Sequence, residues 1–129
     1  MSEIKRVQSG APWEAKVGYC RATCVDKLVF IGGTAPVAED GSCFAPGDPE
    51  AQARRCFEIA LAALAELGGD ASRVTRTRMY VTDISHWEAF GRAHAVHFAD
   101  HRPAATMVEV TRLIDPDMLI EIELDAVLA

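Results

Sequence analysis

The chain has 129 residues, half of them hydrophobic and a quarter charged, a balance that excludes a disordered or fibrous protein. Thirteen basic against nineteen acidic residues give a formal net charge of -6. No run of Lys or Arg forms the positive stripe that nucleic acid or an anionic membrane surface selects, so neither is an expected partner. No apolar stretch approaches the ~18 residues of a membrane span, and Met1-Ser2-Glu3-Ile4-Lys5-Arg6 leads into no apolar core, so one cytoplasmic domain over residues 1–129 is expected.

Taken in chain order, strand signals cover Glu3 to Val7, Tyr19 to Val25 and Leu28 to Gly32, with Asp26-Lys27 as a hairpin turn between the last two. Trp13 follows Ser9-Gly10-Ala11-Pro12 and is read as lying in a loop, where it lines a pocket or plugs the core edge. A helix begins at Asp48-Pro49-Glu50, because Asp48 can cap, Pro49 suits the first helical position and Glu50 complements the dipole. Ala53, Cys56, Phe57, Ala60, Leu64 and Leu67 form its apolar face, with Gln52, Arg54, Arg55, Glu58 and Glu66 mostly elsewhere, and Gly68-Gly69 ends it.

Val74 to Val81 reads as the next strand. A second helix starts near Asp83 or Ser85, where Ser85 and Glu88 fit a capping box, and presents Ile84, Trp87, Gly91, His94 and Phe98 before ending ahead of Pro103. Strands follow at Ala104 to Val110 and Met118 to Val127. The expected fold is therefore α+β, with two helices covering one face of a mixed sheet.

The last strand carries the chemistry, since Met118, Ile120, Ile122, Leu124 and Ala126 alternate with Leu119, Glu121, Glu123, Asp125 and Val127. Three carboxylates thus share one side, an ordinary arrangement on a solvated face and one needing partners on a covered face. Arg76 and Arg78, two apart on Val74 to Tyr80, are positioned to supply them if the two strands pair.

Cys20, Cys24, Cys43 and Cys56 include no CxxC pair and are read as reduced thiols. Cys20 and Cys24 face one way on a strand and read first as small core residues, with a redox pair as the other reading. His94, His97 and His101 have a spacing able to collect a metal on a helix, but His94 falls on the apolar face and reads as an interior histidine; no metal is expected. Gly32-Gly33-Thr34 lacks the following helix of a phosphate loop and reads as a close backbone approach.

In order, Tyr19, Val29-Phe30-Ile31-Gly32-Gly33-Thr34, Gln52, Arg78-Met79-Tyr80-Val81-Thr82-Asp83, Pro103-Ala104, Val108-Glu109-Val110 and Ile120-Glu121-Ile122-Glu123 resemble the RidA (YjgF/YER057c/UK114) family over nearly the whole chain. The resemblance implies a chorismate-mutase-like α+β fold and a homotrimer with clefts between subunits. It implies a small-molecule substrate and no cofactor, because characterised deaminases of the family hydrolyse reactive imines and enamines, such as those from 2-aminoacrylate, to ammonia and a 2-keto acid.

By the same similarity Glu121 takes the role of a glutamate that positions water, and Tyr19, Gly32 and Gly33 match pocket positions. The family's Pro-Ala-Arg, whose arginine binds the substrate carboxylate, stands here as Pro103-Ala104-Ala105, and its nearby cysteine position holds Met107. A bidentate guanidinium has no substitute in alanine. Arg21, which strand alternation places on the side of Tyr19, is the candidate replacement, with an exposed strand arginine as the other reading. Two further functions stay open: a noncatalytic trimer that binds a small metabolite, and an endoribonuclease, against which the net charge of -6 weighs.

Overall fold

The computed structural model describes residues 2–129. Its longest element, the helix α2 (Pro49–Glu66), starts where the local chemistry demands: the Asp48 carboxylate accepts a hydrogen bond from the Ala51 N–H, and Pro49 needs no partner in the first turn. Such a cap stabilises a helix by about 1 kcal/mol. The helix closes on Gly68, whose φ of 91° is left-handed, while the Gly69 N–H returns to the Leu64 carbonyl. Ala53, Cys56, Phe57, Ala60, Ala63 and Leu64 form its buried stripe.

Six strands make one sheet: β1 (Ile4–Val7), β2 (Ala22–Val25), β3 (Leu28–Thr34), β4 (Val74–Val81), β5 (Ala104–Glu109) and β6 (Ile120–Val127). Their spatial order is β1-β2-β3-β6-β4-β5, so the last strand in the chain is inserted between β3 and β4. β4 and β5 are parallel and every other pair is antiparallel, which makes the sheet mixed as expected. The β2–β3 hairpin turns at Asp26-Lys27, with Asp26 at a φ of 53°. A bulge between Ile31 and Thr34 takes up the double glycine.

α2 and α3 (Trp87–Phe98) pack together on one face. The core lies between them and Val29, Ile31, Met79, Val81, Ile120, Ile122 and Leu124 of the sheet. α3 buries Phe98 and half-buries His94 as expected, but it also buries Phe90 and Ala93, while Ile84 and Trp87 of the expected face are exposed. A single turn of 3-10 helix at Ile84–His86, with the Asp83 carboxylate accepting from the Ser85 N–H, precedes α3, so Ile84 lies outside the helix whose expected face includes it. Ser85 consequently does not cap α3; its hydroxyl donates to Asp83 instead.

A third helix, α1 (Pro12–Val17), occupies the stretch read as a loop, and it ends on Gly18 at a φ of 92°. One and a half turns are too short to display a period. As a result the second strand begins at Ala22 rather than Tyr19, and Cys20 precedes it. Gln52, placed off the apolar face of its helix by sequence, is fully buried. Its amide donates to the carbonyls of Ala45 and Asp117 and accepts from the Leu119 N–H at 2.7 Å, so it ties two loops to the start of β6.

Candidate functional site

Alternation along β6 sorts its side chains sharply. Ile120, Ile122, Leu124 and Ala126 point under the helices and are buried; Glu121, Glu123 and Asp125 point to the face that no helix covers. β4 runs antiparallel beside them, pairing Arg76 with Asp125, Arg78 with Glu123 and Tyr80 with Glu121. The acid-on-base pairing inferred from sequence is therefore present, but the contacts are diagonal. Arg78 reaches Asp125 at 3.4 Å, and the Tyr80 hydroxyl donates to Glu123 Oε1 at 2.5 Å.

That diagonal leaves Glu121 at the end of the row, without a side-chain hydrogen bond among the described residues. Its carboxylate lies against Gly33, where Oε2 occupies the space a Cβ would need. Only glycine permits that approach. Burial pushes the Glu121 carboxyl up, the Arg21 charge works against this, and the neighbouring Glu123 carboxylate adds to it. A carboxyl whose pKa is raised in this way is better able to accept a proton and return it than an ordinary exposed carboxylate.

Arg21 enters from the segment just ahead of β2, where its carbonyl accepts from the Gly32 N–H and its own N–H donates to Val7. The side chain is 8% exposed. It donates to the Gly33 carbonyl, lies 5.8 Å from the centre of the Tyr19 ring, and would approach to 3.4 Å a Cβ placed on Gly32. Its Nε is buried with no partner among the described residues. Tyr19, Arg21, Gly32, Gly33 and Glu121 thus converge, and a carboxylate, a guanidinium and two side-chain-free residues meet at one place.

The remaining sequence candidates sit elsewhere in this chain. Trp13 lies on α1, 55% exposed, with the Lys16 ammonium 5.7 Å from its ring. Ala105 is exposed on the edge strand β5, whereas Met107, paired with Met79, is half-buried and packs against the core. His94 is an interior histidine: its Nε2 meets Thr77 Oγ1 at 2.8 Å, and burial followed by its neighbour His97 lowers its pKa. His97 packs against Phe57 and Phe98, while His101 is exposed beyond the end of α3. The three histidines form no ligand set. Cys24 and Cys56 are buried, Cys20 and Cys43 half-buried, and all four are free.

Two residues escaped the sequence reading. Glu14 is 5% exposed and accepts from the Ser9 N–H at 3.0 Å and from its hydroxyl, which pins α1 and, through the Glu14 carbonyl, the Tyr19 N–H. Without the helix there was no reason to look for it. Tyr80 was legible, because Arg76, Arg78 and Tyr80 alternate onto one side of their strand.

Residues 9–128 match the family model described as endoribonuclease L-PSP. The chain is 36% identical over 123 residues to an uncharacterized protein of Streptomyces coelicolor, covering 95% of this chain and 91% of the relative. It is 34% identical over 104 residues to the 3-aminoacrylate deaminase RutC of Acinetobacter baylyi, covering 81% and 82%. A crystal structure from Mycobacterium tuberculosis, of a member of the YjgF/YER057c/UK114 family, superposes with a TM-score of 0.88 at 40% identity, covering 98% of this chain and all of that one.

Proposed function

We propose, starting from the fact that the chain belongs to the YjgF/YER057c/UK114 (endoribonuclease L-PSP) family, that it is a cytoplasmic RidA-like hydrolase of reactive imines or enamines. The observation that carries this reading is Glu121: a half-buried carboxyl on the open face, against Gly33 and under the charge of Arg21. Glu121 takes a proton from water as its oxygen adds to the imine carbon. It passes that proton to the nitrogen to give the carbinolamine, and then carries the hydroxyl proton to the nitrogen as the C–N bond breaks, so imine and water become carbonyl compound and ammonia. No cofactor is needed for that balance.

Arg21 is the cation for a substrate carboxylate, in place of the family arginine that stands here as Ala105. Tyr19 and the Gly32-Gly33 backbone line the same place. Trp13, Ala105 and Met107 lie apart from it within one chain, so their part in binding requires clefts between copies, as in a homotrimer. Exposed Leu28 and Phe30 on the helix-free face support such contact between copies.

The test is ammonia and keto-acid release from freshly generated imines, with and without a carboxylate, comparing the protein, Glu121→Gln and no protein. Acceleration that disappears in Glu121→Gln is expected; rates equal to the uncatalysed background would overturn the reading. The replacement of the arginine by Ala105 favours a second reading, a noncatalytic metabolite-binding trimer, recognised by ligand-induced thermal stabilisation without turnover. RNA cleavage, which the family model's description names, is opposed by the acids on the open face and the net charge of -6.

A further inference from the structure

Glu121 and Glu123 stand two residues apart on one face of β6, but their surroundings differ. Glu123 receives the Tyr80 hydroxyl at 2.5 Å and has Arg78 as its cross-strand partner. Glu121 receives no side-chain donor among the described residues, although Tyr80 is its own cross-strand partner. The phenol leans past Glu121 to reach Glu123. Of two nearby carboxyl groups, the one held by a donor is fixed in place and the other is left open to exchange a proton, and that division assigns their chemical roles.

We propose that Glu123, clamped by the Tyr80 hydroxyl, is a positioning residue for Glu121: the clamp holds the Glu123 carboxyl in place beside Glu121 and leaves the unclamped Glu121 as the member that exchanges a proton. The assignment deepens the hydrolase reading, and rests on it for the use to which the proton is put. The groups facing Glu121 are Arg21 from the approach to β2, Glu123 on its own strand, Tyr80 from β4 and, through the sheet, the Cys56 thiol of α2. β3 contributes only Gly32 and Gly33 at this point, with no charge.

The hydrogen bond to Glu123 also accounts for Tyr80, whose phenol is pushed up chiefly because it donates to that carboxylate. A phenol held protonated remains a donor across the working pH range. Arg78 is committed to Asp125 at 3.4 Å, so the Tyr80 hydroxyl is the closer donor to Glu123. The sequence feature behind this arrangement is a tyrosine at the last outward-facing position of β4.

Site-resolved carbon-13 NMR titration of the carboxyl groups in the full chain tests the proposal without any substrate. The expected result is that Glu123→Gln moves the Glu121 midpoint down, and that Tyr80→Phe, which releases the Glu123 side chain from its fixed place, also moves the Glu121 midpoint. Asp125→Asn makes the same charge change one outward-facing position further away and is expected to move Glu121 less. A Glu121 midpoint unmoved in Glu123→Gln, one unmoved in Tyr80→Phe, or an equal shift in Asp125→Asn would each overturn the proposal. A protein that titrates as expected but hydrolyses no imine removes the hydrolase reading alone, whereas Glu121-dependent turnover with an unmoved titration removes this one alone.

Discussion

The two faces of β6 are made by the same eight residues, yet they obey different rules. Under the helices, Ile122 and Leu124 are fully buried and fixed by packing. On the other face Glu121, Glu123 and Asp125 are only partly covered; Tyr80 and Arg78 of β4 reach Glu123 and Asp125, and Glu121 lies against Gly33 with no side-chain donor among the described residues. One face specifies the fold and the other specifies charge. Stability and chemistry are thereby separated across the thickness of one strand, and substitutions on the two sides should fail in different ways.

The largest effect belongs to the covered face. Leu124→Ala should cost about 2–5 kcal/mol, because the lost side chain leaves a cavity beneath α2, and urea denaturation would show it. A loss as small as that of an open-face substitution would break the distinction. Thr77→Val comes next: it keeps the volume but leaves His94 Nε2 without its 2.8 Å partner, at an expected cost of about 1–3 kcal/mol.

Glu121→Gln sharpens the comparison by reversing sign. Burial raises the folded-state pKa of Glu121, so folding favours the protonated carboxyl, and the penalty for its charge grows as pH rises through that value. The variant should therefore melt higher than the parent at neutral pH. Its advantage should vanish as the pH falls below the ordinary value of 4.5, which paired thermal melts across that range would reveal. The smallest effect is expected at the surface: Arg92→Ala removes a 2.7 Å contact with Glu50 between solvent-exposed side chains, worth about 0.2–1 kcal/mol and shrinking with added salt in the same denaturation assay.

Much of this division is written in the sequence because alternation is a strong signal. The burial of Ile120, Ile122, Leu124 and Ala126 opposite three acids follows from period two alone, and Val74–Val81 and the Asp48-Pro49 helix start fall where local chemistry puts them. Short elements were not legible. α1 is too brief to show a period, and a 3-10 turn leaves Ile84 outside α3, whose buried Phe90 and Ala93 join the expected Phe98. Glu121 and Arg21 could be picked out as residues, but not the carbonyl of Gly33 that receives Arg21, nor the lean of Tyr80 past its own partner, since both depend on register and on the bulge in β3.

The position of β6 has a consequence for the birth of the protein. β3 and β4 are complete long before the strand that joins them, and at a synthesis rate of ~5–20 residues per second the interval lasts several seconds. Until β6 is made, β3 and β4 each carry an open central edge, and the β1–β2–β3 meander and the β4–α3–β5 unit are joined through the packing of α2 on β3 and α3. Glu121 arrives on the same strand that closes the gap, so the nascent chain acquires its sheet and its candidate catalytic carboxyl in a single event.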